Sequence, residues 1–338
     1  MRFGFMEDFR NPVKWRKPFP DFYQAILAQI SRAEDLGYDN VWLTEHHFTE
    51  DGYNPSLMTT AAAVAAKTTS IRIGTFIIIL PYQNPILMAE EVANVDILSN
   101  GRFEFGVGQG YSHYEFDAFC MDRKERGART RESIQLIEKL LSIDKVTHEG
   151  KFYQCKETTV SPKSVQTPHP PIWIGARGPK AIKKAAEMGY HLMATIGPDP
   201  APLYIDTLKK VGRDPLGHKV AQLRMVYAAP TEDEAWKQCE NHVFHMLEFY
   251  QDILSEANDA EGDDKPLAVK RPEDIRHSVL ADHFMIGTPD QIIEKMKRFE
   301  EEFQCTDFIM GTQFPGLDPQ KGTSALELFA KEVMPIFK

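Results

Sequence analysis

His46 and His47, which follow Glu45 directly, are the residues best suited to proton transfer in this sequence. A free imidazole titrates near pH 6.5, so it can act as general acid or base at neutral pH. The run NVWLTEH (40–46) reads as a strand, where successive side chains point to opposite faces, so the two rings cannot easily share one metal. There is no HExxH, no GxSxG, and no HxH on the first strand-like run. No metal site is therefore expected. No Lys stands at a strand end to form a Schiff base. A glycosidase needs two carboxylates flanking its scissile bond, and the last five strand-like runs end without Asp or Glu. What remains is His46, an apolar wall of Ile77, Ile78 and Ile79, and glycines at 106, 108 and 110 that leave room for a flat group. Gly178 and Pro179 open a helix whose first N–H groups suit a phosphate, with Arg177 beside them. A planar, phosphorylated cofactor accounts for this set economically. Each member also has a plainer reading: glycines for tight packing, Gly-Pro as a cap, His46 as a structural histidine, Arg177 as a surface residue.

These residues need a scaffold that brings strand ends together. Strand-like runs occur at 2–9, 40–46, 71–80, 102–108, 171–176, 191–196, 221–229 and 306–312, each followed by a helical pattern. Asp21 with Gln24 reads as the cap of the first helix, and Gly37 ends it. Asn84-Pro85, Thr231 with Glu234, and Thr288-Pro289 with Gln291 are further helix starts. Repeated βα units that close on themselves make a (β/α)8 barrel, with the active site at the C-terminal ends of its strands. An open doubly wound sheet is the alternative, but no GxGxxG follows the first run. A typical barrel leaves roughly 90 of the 338 residues for insertions. One is a hairpin near 145–155, turning at Glu149-Gly150; the other is an aperiodic stretch, 256–283, with the composition of a lid or a solvated loop. The expectation is one barrel domain over 1–338.

Composition narrows the partners. The formal net charge is -10, so a nucleic acid is not an expected ligand. No run of about 18 apolar residues exists to cross a bilayer. Cys120, Cys155, Cys239 and Cys305 form no CxxC pair, as in a reduced, cytoplasmic protein.

At WLTEHHF (42–48) the chain resembles the bacterial luciferase-like family of flavin-dependent monooxygenases and deazaflavin oxidoreductases. Supporting segments are RIGTFIIILPYQNPILMAEEVANVDILSNGRFEFGVGQGY (72–111), PIWIGARGPKAIKKAAEMG (171–189), IGTPDQIIEKM (286–296) and the closing ELFAKEVMPIF, so the resemblance covers almost the whole chain. It implies a (β/α)8 barrel, a homodimer through the second and third helices, and reduced FMN supplied by a separate flavin reductase. It implies that His46 lies beside the reactive edge of the flavin, and that the Phe76-Ile77 peptide is cis and meets the flavin face. The phosphate pocket maps onto Ala176, Arg177, Gly178, Ala181 and Arg129. Luciferases carry a basic residue where this chain has Gln109, a reactive cysteine where it has Gly108, and hydroxyls where it has Gly178 and Ala181. Phosphate contacts are therefore expected to shift towards Arg177, Arg129 and backbone N–H groups.

The reading that follows is a monooxygenase using reduced FMN and O2 on a small, apolar organic substrate in a pocket rimmed by Gln313 and Phe314. A deazaflavin enzyme transferring hydride is the second reading, and a non-catalytic flavin-binding protein the third.

Overall fold

The computed structural model of the chain describes residues 1–195, 197–257 and 269–338. In β1 (Arg2–Glu7), Phe3 and Phe5 pack towards the helices and Met6 towards the interior. The first helix, α1 (Phe19–Asp35), starts at Pro18, ahead of the Asp21 cap expected from sequence. Proline fixes φ and lacks the N–H that a first turn leaves unpaired anyway, so Pro18 and Pro20 set the start. Then come β2 (Asn40–Leu43), α2 (Leu57–Lys67), β3 (Arg72–Thr75), β4 (Ile78–Ile79) and α3 (Pro85–Leu98). Asn84 caps α3 by accepting from the Ile86 N–H at 2.9 Å. β5 (Phe103–Gly108) leads through a short helix, α4 (His113–Ala118), to α5 (Arg126–Ser142). The expected hairpin is present as antiparallel β6 (Val146–Glu149) and β7 (Gln154–Thr158).

The second half runs β8 (Ile172–Gly175), α6 (Pro179–Met188), β9 (His191–Ala194), α7 (Ala201–Lys210), β10 (Val220–Ala228) and α8 (Glu232–Ala257). It closes with β11 (Phe284–Gly287), α9 (Pro289–Glu302), β12 (Asp307–Gly311), α10 (Pro319–Glu332) and a final turn of helix. Thr288 and Gln291 form the capping box of α9. Parallel pairing runs β1-β2-β3-β5-β8-β9-β10-β12 and returns to β1, so the eight strands close a (β/α)8 barrel.

Two details depart from the sequence reading. The run 71–80 is not one strand. Its ladder ends at Thr75, whose hydroxyl bridges to the Gly106 backbone at 2.7 and 2.9 Å, and resumes at Ile78 beside Val107. The Phe76-Ile77 peptide between them is cis, as the resemblance implied. An additional strand, β11, lines the upper half of β10. Its four residues were too short to separate from the helix that follows. Of the 256–283 insertion, residues 258–268 lie outside the described residues. The remainder holds two 3-10 turns, Pro272–His277 and Val279–His283. Among the described residues, no helix is long and apolar enough to cross a membrane.

The barrel interior is filled by Met6, Trp42, Trp173, Met193, Leu223, Met225 and Ile309, with Trp42 and Trp173 edge to face at 5.3 Å. Gly74 is required there, because a Cβ would sit 2.1 Å from the Trp42 ring. Below them, buried Glu104 takes Arg2, Arg72 and the Trp173 indole N–H. Burial pushes this carboxyl up, but Arg72 and Arg2 outweigh it and hold it below the ordinary glutamate value. A depressed folded pKa stabilises above the unfolded value and is lost as pH falls through the folded one. Urea titrations should therefore show wild-type stability falling below the ordinary value of 4.5. Glu104→Gln should be less stable at neutral pH and flatter over that acid range.

Candidate active site

His46 lies three residues beyond β2, at the C-terminal mouth of the barrel, and is only 5% exposed. Its Nδ1 is 2.7 Å from Glu115 Oε1, and its Nε2 is 3.0 Å from the Tyr111 hydroxyl. Both partners follow β5. Gly110, at φ 72°, turns the chain there. Ser112 then caps α4 by accepting from the Glu115 N–H, which sets Glu115 in the first turn. The same Oε1 accepts from the His47 N–H at 3.0 Å, and Tyr82 donates to Oε2 at 3.3 Å. Burial would raise the Glu115 carboxyl, but bonding to His46 and to the His47 N–H holds it below the usual range. An ionised Glu115 accepts only, so Nδ1 carries hydrogen. When the ring is neutral, Nε2 is then the bare nitrogen that Tyr111 donates to.

His47 makes a second pair, its Nε2 3.0 Å from Glu45 Oε1. Burial raises the Glu45 carboxyl despite His47, and Glu115 adds to the rise. The two adjacent histidines thus face separate carboxylates whose affinities for a proton are pushed apart. Among the described residues, no group of three or more His, Cys, Asp and Glu is placed to hold a metal.

Aromatic rings enclose His46. Tyr53, Tyr111, Phe249 and Tyr250 stand at centroid distances of 4.8, 5.6, 5.6 and 6.4 Å. Thr44 donates to the Tyr53 hydroxyl, which lies 3.0 Å from that of Tyr250. Behind these rings the Arg10 guanidinium stacks 4.0 Å from the Phe249 centroid and bonds Asp51 at 2.6 Å.

Phe76 and Ile77 keep partial exposure inside a stretch, 73–80, that is otherwise buried. They form an apolar ledge at the mouth. The glycines do a different task from the one their spacing suggested. A Cβ on Gly108 would lie 1.9 Å from Ile77 Cδ1, and one on Gly175 2.9 Å from the same atom. A Cβ on Gly106 would strike the Thr75 carbonyl at 1.8 Å. The room they leave is filled by Ile77 and by the Thr75 carbonyl.

At the start of α6, Gly178 is exposed with open space where a Cβ would be, and the first turn holds no acid. Ala176 is buried against α6, Ala181 lies in its first turn, and Arg177 is exposed beside them. Arg177 is close enough to act electrostatically on Tyr111, which ties this corner to His46. Gln109 leans on Gly127 in the first turn of α5. Arg129 points Nε and Nη2 at Glu125 and stacks on Phe152, among the residues beside the hairpin. Gln313 does not rim a pocket: it is buried, bonded to Gln29 and the Leu317 carbonyl. Glu115, Tyr111, Arg10 and the two α8 rings were missed in the sequence. Only the Ser112-x-x-Glu115 spacing, a capping-box signature, marked any of them.

The profile of the family described as "Luciferase-like monooxygenase" matches residues 1–303, and the chain belongs to that family of oxidoreductases. It is 28% identical over 342 residues to the oxygenase component of flavin-dependent trigonelline monooxygenase from Acinetobacter baylyi, covering 93% of this chain and 90% of that one. It is 35% identical over 190 residues to an F420-dependent glucose-6-phosphate dehydrogenase from Amycolatopsis mediterranei, covering 54% of this chain and 56% of that one. Among solved structures it resembles the oxygenating constituent of 3,6-diketocamphane monooxygenase from Pseudomonas putida. There the TM-score is 0.82 at 20% identity, over 99% of this chain and 98% of that one.

If the glycines serve the ledge, Gly108→Ala should destabilise by about 1–3 kcal/mol, the usual range for overpacking. Shortening the colliding side chain with Ile77→Val should recover part of that loss in a thermal melt. Two losses that merely add would refute the packing role.

Proposed function

We propose that the 1–338 barrel is an FMN-dependent monooxygenase that takes reduced FMN from a separate reductase and uses O2 to oxygenate a small, apolar organic compound. The observation that carries this reading is the Glu115-His46-Tyr111 chain at the barrel end that also offers an apolar ledge and an open anion cradle. The residues suit FMN. Phe76 and Ile77 would meet the ring. The first turn of α6, from Gly178 to Ala181 with Ala176 and Arg177, would take the phosphate, and Gln109 with Gly108 would border it. Arg129 would join them only after leaving Glu125. When bound, reduced FMN supplies the two electrons that activate O2. The protein's own part is to exclude water with the ledge and the α8 rings, and to hold a proton at His46 Nε2 against the ionised Glu115.

Leu87 and Leu98 expose 55% and 56% of their surface on α3, an apolar face that supports a homodimer. Four unpaired thiols support a cytoplasmic setting. The stretch shared with an F420-dependent dehydrogenase supports the second reading, hydride transfer with a deazaflavin.

Oxygen uptake by the purified protein with photoreduced FMN distinguishes the readings. Binding of reduced FMN with accelerated uptake is expected; binding of deazaflavin alone, with oxygen ignored, would select the second. His46→Ala should retain FMN binding and lose about 10²–10⁴-fold in turnover, the range for one acid-base group. Unchanged turnover would leave a flavin-binding protein without a role for His46.

A further inference from the structure

We propose that Tyr111, not His46, is the group that hands the proton to the reacting atoms, with His46 and Glu115 acting through it. This rests on the monooxygenase reading of the site.

The argument begins with occupancy. An imidazole has two nitrogens, and both are engaged: Nδ1 by Glu115 at 2.7 Å and Nε2 by Tyr111 at 3.0 Å. Tyr53, Phe249 and Tyr250 pack around the ring. No nitrogen is left to reach a substrate without breaking one of these bonds. Tyr111 differs. It is partly exposed where His46 is buried, and its hydroxyl still has a hydrogen or a lone pair to offer when His46 holds the other. It follows Gly110, just beyond β5, and its phenol both meets His46 Nε2 and lies within electrostatic reach of Arg177.

The proton count closes. With His46 protonated, both ring nitrogens donate, Nδ1 to Glu115 and Nε2 to the Tyr111 oxygen. The Tyr111 hydrogen is then free for a developing oxyanion on the bound reactants. As it leaves, the Nε2 proton moves to the phenolate oxygen. The oxyanion gains one proton, His46 loses one, and Tyr111 and Glu115 are unchanged. Solvent later restores the proton on His46. Tyr111 thus takes the place that serine has in a carboxylate-histidine-serine arrangement, as a proton donor and not as a nucleophile.

The charges facing the phenol fit this role. Burial, Tyr250 and Glu115 keep Tyr111 in its neutral, proton-bearing form, with its pKa well above the ordinary value. Arg177 and Arg10 oppose them, and so lower the cost of a passing negative charge on the oxygen.

The test compares Tyr111→Phe, His46→Gln and the double variant, and adds a label at position 111. Reduced FMN binding is measured first by anaerobic titration. If wild type does not bind, the monooxygenase reading fails, and this proposal falls with it. If it binds, all three variants should bind alike. Tyr111→Phe should then lose at least tenfold in oxygen-dependent turnover at unchanged KM, His46→Gln should lose as much, and the double variant should lose no more. A Tyr111→Phe enzyme within twofold of wild type beside a crippled His46→Gln would show that His46 acts directly. In the protein without flavin, 3-fluorotyrosine at position 111 gives a readout that a packing role would not move. Its fluorine shift should step with pH in wild type, and the step should vanish in His46→Gln. No step in wild type would overturn the coupling.

Discussion

The hydrogen bond between His46 Nδ1 and Glu115 is the constraint from which the rest of the site follows. A buried carboxylate is costly unless hydrogen bonds compensate it. Glu115 meets that demand with the His46 ring, the His47 backbone and the Tyr82 hydroxyl. Satisfying it fixes Nδ1 of His46 as the nitrogen that carries hydrogen, which leaves Nε2 to meet the Tyr111 hydroxyl. The hydrogen pattern at the mouth is thus decided by a buried carboxyl held below its usual range.

The barrel explains how one such bond can be held so firmly. His46 comes from the end of β2 and Glu115 from the segment after β5, two elements separated in sequence by 69 positions. They meet because β2, β3 and β5 are neighbours in the ring and because Thr75 carries the β3-β5 connection across the break at Phe76-Ile77. The glycines around that break serve the same end. They let Ile77 lie down over β5 and β8, so the ledge is built from packing and not from a loop. Interiors packed at crystal density transmit small displacements, so the ledge and the histidine chain are mechanically parts of one object.

Most of the barrel was legible in the sequence because its strands are short apolar runs bounded by capped helices, each a local signal. β11 was not, since four residues before a Thr-Pro helix start carry no period of their own. The α1 cap was misread because Asp21 competes with two prolines, and fixed φ angles prevailed over a side-chain cap. His46 stands out by residue type and by family likeness. Glu115 was not, because its role depends on a contact across 69 positions, and it sits in a short helix hidden between a strand and a longer helix. The glycines at 106, 108 and 110 stand out for their missing side chains, but only the fold shows that Thr75, Ile77 and Ile79 lie where a Cβ would be.

The two His-Glu pairs show how such a site divides its labour. His46 with Glu115 and His47 with Glu45 are built from adjacent residues of one chain, yet burial and bonding push the two carboxyls in opposite directions. Glu115 has three donors and stays charged. Glu45 has His47 and a long contact from the Ile79 N–H, and burial prevails. Just beyond β2 the two rings turn to different partners, His46 to Glu115 and His47 to Glu45. One pair keeps a carboxylate charge against the His46 imidazole, while the other joins the loop to the β4 side of the ledge. A single pair could not do both, because the charge that steadies His46 requires the full set of donors that Glu115 receives.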